Sequence, residues 1–119
     1  MDNSRALQSL RDIDGVYGSF VVNARGETTL RDLPAVFDDA TLAESGLRVA
    51  RFWEAALNGA APEYALLEFS EYSLFLRPAA RGCLCVVAPH TVNVLALKLA
   101  CKVVARQLEA GRSTLSDVG

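Results

Sequence analysis

Residues 83–88, CLCVVA, present apolar side chains to both faces of any strand they form. Successive side chains point to opposite sides of a strand, so a segment greasy on both sides has to be covered on both sides. Such a strand belongs in the middle of a sheet, with helices packed over each face. Two further runs precede it through very short connections, EYALLEF at 63–69 and YSLFLRP at 72–78. Both are rich in aromatic and aliphatic residues, and with 83–88 they read as an antiparallel meander. This centre calls for a layered sheet-and-helix structure.

The first half of the chain supplies the remaining layers. In SRALQSLRDI, residues 4–13, Leu7, Leu10 and Ile13 recur at three-residue steps and give a short helix one apolar stripe. Gly15 follows, where a glycine commonly closes a helix. YGSFVVN at 17–23 reads as a strand, Asn23-Ala24-Arg25-Gly26 as a turn, and ETTLRDL at 27–33 as a more polar returning strand suited to a sheet edge. After the connector LPAVFDDA, Thr41 with Glu44 matches the capping box that opens a helix, and Asn58-Gly59 is its expected stop. A last helix is expected from about Thr91 to Ala110, ending before Gly111, with a polar line of Lys98, Lys102 and Arg106. The order is α-β-β-α-β-β-β-α. One domain over residues 1–119, a five-stranded antiparallel sheet carrying helices on its faces, is the compact α/β (α+β) arrangement of these elements.

Hydrophobic residues make up 51% of the chain, a high share for 119 residues, because small domains have too much surface to hide all their apolar side chains. The surplus points to an exposed apolar patch, most naturally a subunit interface. Against 14 Asp and Glu stand 12 Lys and Arg, well mixed, without the basic footprint of a nucleic-acid or anionic-membrane binder. The opening MDNSRALQSLRDID is charged throughout and lacks the apolar core of a signal peptide. The longest apolar region, 83–97, is broken by Pro89, His90 and Asn93 and falls short of the roughly 20 residues that span a bilayer. Three cysteines form no even disulfide framework, which suits a reducing compartment. The chain is expected to be soluble and cytoplasmic.

Motifs for chemistry are weak. A phosphate loop places its glycines between a strand and a helix start, with a lysine or serine reaching the phosphates. Here the order is helix, glycines, strand, so Gly15 and Gly26 are assigned to turns and Gly18 to the strand. Cys83, Cys85, His90 and Cys101 can be drawn together as a zinc set. However, Cys-x-Cys on an apolar strand lacks the C-x-x-C knuckle, and cysteine packs readily as a small buried hydrophobe. His90 has no nucleophile signature around it and is expected to face solvent or cap a helix. Asp38-Asp39 suits the positive end of the following helix better than acid–base work. The Lys98/Lys102/Arg106 line reads as a solvated helix face, with contact to an acidic partner as the alternative. No catalytic, cofactor-binding or metal site is expected, and the chain reads as a non-enzyme.

The second helix differs. Leu42, Val49, Phe52, Trp53, Ala56 and Leu57 spread over more than one face, and Arg48, Arg51 and Glu54 take up the remainder. Large aromatics beside arginines match the composition of interface anchors. Adjacent residues point about 100° apart, so one flat sheet cannot fully bury both Phe52 and Trp53. Gly46 in mid-helix costs about 1 kcal/mol against alanine, which close packing of another backbone would explain. This helix is expected to face a partner.

The stretch LQSLRDIDGVYGSFVVNARGE resembles the opening of the Roadblock/dynein light chain superfamily, in its bacterial type. There a short helix leads into I-x-G-V-x-G-x-x-V-x-x-x-x-G, and Ile13, Gly15, Val16, Gly18, Val21 and Gly26 stand in those places. LRP at 76–78, the strand GCLCVV, and Asn93 opening the final helix also agree, so the resemblance covers essentially the whole chain. Its motifs are structural and not catalytic. Leu95 stands where members commonly carry glycine, and Lys98 where they often carry arginine.

The resemblance implies a profilin-like three-layer sandwich, the second helix on one sheet face and the first and last on the other. It also implies dimerisation through the second helix and the neighbouring edge strand, giving a continuous sheet, and roles as scaffolds or regulators of Ras-like small GTPases or as motor light chains. Carried over, the dimer or partner surface comprises Gly46, Leu47, Arg48, Arg51 and Phe52 on the helix, and Tyr64, Leu66 and Glu68 within the strand Tyr64–Phe69. The expectation is a homodimer, without cofactor, that binds and modulates a Ras-like small GTPase. The alternatives are a pure assembly scaffold, or a small-molecule sensor using the sheet–helix cleft.

Overall fold

Leu7 and Leu10 are fully buried, as their spacing requires, but the helix that carries them is α-helical only over Ser4–Gln8 (α1) and tightens to a 3-10 turn over Ser9–Asp12. Residues three apart eclipse in a 3-10 helix, so the stripe survives the change. The computed structural model describes residues 4–13, 15–23, 25–34, 39–57, 64–79 and 82–118. Beyond the 3-10 turn, the Val16 amide donates to the Ile13 carbonyl (3.1 Å), with Gly15 at φ +90°. That left-handed conformation favours glycine at the third position of a tight turn.

Two strands follow, β1 (Gly18–Val22) and β2 (Thr28–Asp32). The turn between them is held by Asn23, whose Oδ1 accepts from the amides of Arg25 (2.9 Å) and Glu27 (3.1 Å). The long helix α2 runs Asp39–Leu57 and begins before Thr41. The side chains of Asp39, Thr41, Leu42, Glu44, Trp53, Ala56 and Leu57 lie outside the described residues, as do Asp38 and Asn58-Gly59. The expected capping box, acidic pair, tryptophan anchor and stop therefore lie outside them too. The meander is β3 (Ala65–Glu68), β4 (Ser73–Ala79) and β5 (Gly82–Ala88).

The last helix, α3, spans Val94–Val118. Asn93 is its cap: Oδ1 accepts from the Ala96 amide at 3.1 Å, satisfying a donor that the first turn leaves orphaned. The helix starts three residues later than expected and passes through Gly111. A single glycine costs a helix about 1 kcal/mol, which does not by itself end it.

The strands form one antiparallel sheet in the order β2-β1-β5-β4-β3, with β5 at the centre as its two apolar faces demand. Two core layers follow from strand alternation. On one face Val21, Phe75, Leu84 and Val86 meet Leu7 of α1, Leu10 of the 3-10 turn, and Leu97, Cys101, Val104 and Leu108 of α3. On the other, Phe20, Val22, Leu74, Leu76, Cys83, Cys85 and Val87 meet Val49 and Phe52 of α2. A side-chain bond from Ser19 Oγ to the Leu7 carbonyl (3.4 Å) and an ion pair from Arg11 to Asp32 (2.8 Å) tie the first helix down.

Candidate functional site

The position of α2 is set by two glycines. Gly46 is buried, and a Cβ there would run into the carbonyl of Gly26 in the β1–β2 turn. A Cβ on Gly26, which sits at φ +84°, would come 2.9 Å from the Gly46 carbonyl oxygen. Helix and hairpin therefore meet backbone to backbone, and Gly46 is occupied by contact within its own chain. This anchors α2 toward the β2 end of the sheet. Val49, three residues on, is fully buried, and Phe52 is half-buried against the same core layer.

The outward side of α2 carries Leu47, 52% exposed, with exposed Arg48, Arg51 and Glu54. Beside it lies a groove of about 530 Å³ between α2 and β2, lined by Ala43, Leu47, Arg25, Gly26, Thr29 and Arg31 among others. Its polar and charged lining residues, Arg25, Glu27, Thr28, Thr29 and Arg31, come from the turn and the strand.

Strand β3 divides the residues expected at the interface between two faces. Leu66 registers with Phe75 and Glu68 with Ser73, which places Tyr64, Leu66 and Glu68 on the α3 side. There Tyr64 stacks on Phe75 (centroids 5.2 Å apart, planes at 14°), and the Lys98 ammonium lies 5.1 Å from the Tyr64 ring centre. The residues that share a face with α2 are Ala65, Leu67 and Phe69, joined by Tyr72, which stacks on Phe69 at 5.0 Å. All four are only half-buried. Ala65, Leu67 and Phe69 fall within the expected strand Tyr64–Phe69 and Tyr72 outside it; because Leu66 and Leu67 are both leucine, the run ALLEF does not say which neighbour points which way. The strand period becomes informative only once the partner strand is known.

The cysteines are core residues. Cys83 and Cys85 pack on the α2 side, and Cys101 packs on the other, so the sheet separates the set that the sequence allows to be drawn together. Burial pushes the Cys101 thiol up to about 12 against an opposing pull from Arg77, and burial beside Cys83 raises Cys85 as well. Such thiols stay protonated and poorly nucleophilic. His90 is exposed and links two loops: Nε2 lies 3.4 Å from the Ser70 carbonyl, which can only accept, so in the neutral ring Nδ1 accepts from the buried Ser73 hydroxyl at 2.8 Å. It fastens the β3–β4 turn to the segment after β5.

No family model matches the sequence, and no curated protein matches it. Solved structures do. A Roadblock/LC7 domain from Streptomyces avermitilis superposes with a TM-score of 0.79 at 11% identity, covering 95% of this chain and 99% of that one. The fold is that of a Roadblock-type domain. The gliding protein MglB from Thermus thermophilus gives 0.73 at 17% identity, over 91% of this chain and 86% of its own. A structure described as MglB with tetrameric arrangement gives 0.74 at 18% identity, over 91% and 85%. In this fold β2 and β3 form the two ends of the sheet, and β3 carries the half-covered apolar residues. None of the described helices is long and apolar enough to cross a membrane.

Proposed function

We propose that this chain is a non-enzymatic, cytoplasmic homodimer that binds a Ras-like small GTPase and regulates its activity or localisation. The observation that carries the reading is the uneven cover of the sheet. The Gly46–Gly26 contact draws α2 to the β2 end, while Leu67, Phe69 and Tyr72 at the β3 end stay half-buried beside an unpaired strand edge. A second copy pairing β3 with β3 extends the sheet and lays apolar surface over those residues, as the family resemblance implies. Self-association is also supported by the tetrameric arrangement of one similar structure. Regulation then works by holding the GTPase in one conformation, which requires different affinities for its two nucleotide states.

Sedimentation velocity at micromolar concentration tests the first half. Wild type sediments as a dimer and Leu67→Glu, which places charge in the pairing face, as a monomer. A wild-type monomer overturns the reading. Binding to a purified Ras-like GTPase, loaded with GDP or a non-hydrolysable GTP analogue, tests the second: regulation predicts unequal affinities, and equal ones leave a scaffold. Arg51→Ala should keep any stimulation of hydrolysis, whereas a loss of about 10³-fold would make that residue an arginine finger.

A further inference from the structure

The outward side of α3 carries a separate apolar strip. Leu95, Leu99 and Val103 follow at four-residue steps and are 65%, 59% and 54% exposed, while Leu97, Cys101, Val104 and Leu108 of the same helix are buried. Residues four apart align along one side of an α-helix. The core uses the opposite side of α3, so packing among the described residues does not account for these three.

The two borders of the strip differ. Along one run Lys98, Lys102 and Arg106, of which Lys102 and Arg106 are exposed and Lys98 leans over Tyr64; Glu109 follows them. Lys98 and Lys102 are the only lysines in a chain of net charge −2. Along the other border lie Ala96 and Ala100, small and half-buried, and then Gln107.

This asymmetry selects the occupant. Antiparallel pairing of the strip with its own copy about a two-fold axis interleaves four lysines on one side, and like charges so placed repel. Parallel pairing sets the lysines against Ala96 and Ala100, which offer no counter-charge. A helix lying in a membrane surface carries basic residues across its polar side and Trp, Phe or Leu on its apolar side. Here the basic residues follow one border only. A partner helix fits both borders: its apolar ridge enters the strip, the alanines let its backbone come close, and its carboxylates meet Lys102 and Arg106.

We propose that the outer face of α3 docks an amphipathic helix of another protein, one whose apolar ridge is bordered on one side by Asp and Glu. The site lies across the sheet from α2 and does not rest on the GTPase reading. The aliphatic residues supply the area removed from water, and the basic border fixes the orientation of the guest and speeds its arrival.

Two synthetic peptides of about 18 residues, long enough to hold a helix, serve as probes. Both carry leucine at helical spacing; one has Glu along a single border and the other has Lys there. In nuclear magnetic resonance titrations of the full chain, the Glu peptide shifts resonances between 95 and 106 and binds at least about ten-fold tighter than the Lys peptide at low salt. Leu99→Ser weakens it by about ten-fold without changing the melting temperature, because the side chain is at the surface. The double variant Lys102→Glu/Arg106→Glu inverts the preference between the peptides. The proposal is overturned if neither peptide perturbs α3, if both bind alike, if Leu99→Ser leaves the affinity unchanged, or if vesicles containing phosphatidylglycerol occupy the strip in preference to the Glu peptide.

Discussion

Replacing Gly46 by alanine sets two physical effects against each other. Alanine in place of glycine inside a helix contributes about 1 kcal/mol of helix stability. In this fold, however, the new Cβ meets the Gly26 carbonyl and also approaches Val22 Cγ1 at 3.5 Å. The carbonyl is backbone, fixed in a turn that Asn23 holds through two amides, and cannot swing aside as a flexible side chain does. The helix has to move outward instead, which loosens the seat of fully buried Val49. Overpacking costs about 1–3 kcal/mol, and against a backbone carbonyl the cost falls at about 2–3 kcal/mol, so subtracting the propensity gain leaves a net loss of about 1–2 kcal/mol. For a chain of this size that lowers the melting temperature by about 4–8 °C. Thermal unfolding followed by circular dichroism reads the shift, at one fixed protein concentration because the proposed self-association would make the midpoint concentration-dependent. A variant that melts at or above the wild-type temperature would refute the reasoning, since propensity would then have outweighed the backbone contact.

Asn93→Ala removes the side-chain acceptor from the Ala96 amide and should lower stability by about 1 kcal/mol in urea unfolding, with Asn93→Ser recovering most of it; equal losses in both variants would show that the cap is not the cause. Cys101 predicts a pH dependence. Its thiol is raised from 9.0 to about 12 in the fold, so its contribution is complete below about pH 9 and is lost as pH climbs through that window. The loss approaches about 1.4 kcal/mol per pH unit for one thiol, so the stability difference between wild type and Cys101→Ala should narrow between pH 9 and 11, and parallel decline of the two would contradict it.

Much of this protein was legible in its residues alone. The double-faced run at 83–88 required a central strand, and β5 is one. The polar alternation of 27–33 indicated an edge, and β2 lies at one. Mid-helix Gly46 called for a close backbone, and Gly26 provides it. These features rest on local rules, the strand period and the volume of a missing Cβ, which hold before any partner is known. Which leucine of the pair Leu66 and Leu67 faces α2, which cysteines share a layer, and where α3 leaves Leu95, Leu99 and Val103 uncovered were decided only by the tertiary structure. Each depends on which element arrives on which face, and an apolar side chain carries no mark telling a core position from a surface awaiting a partner.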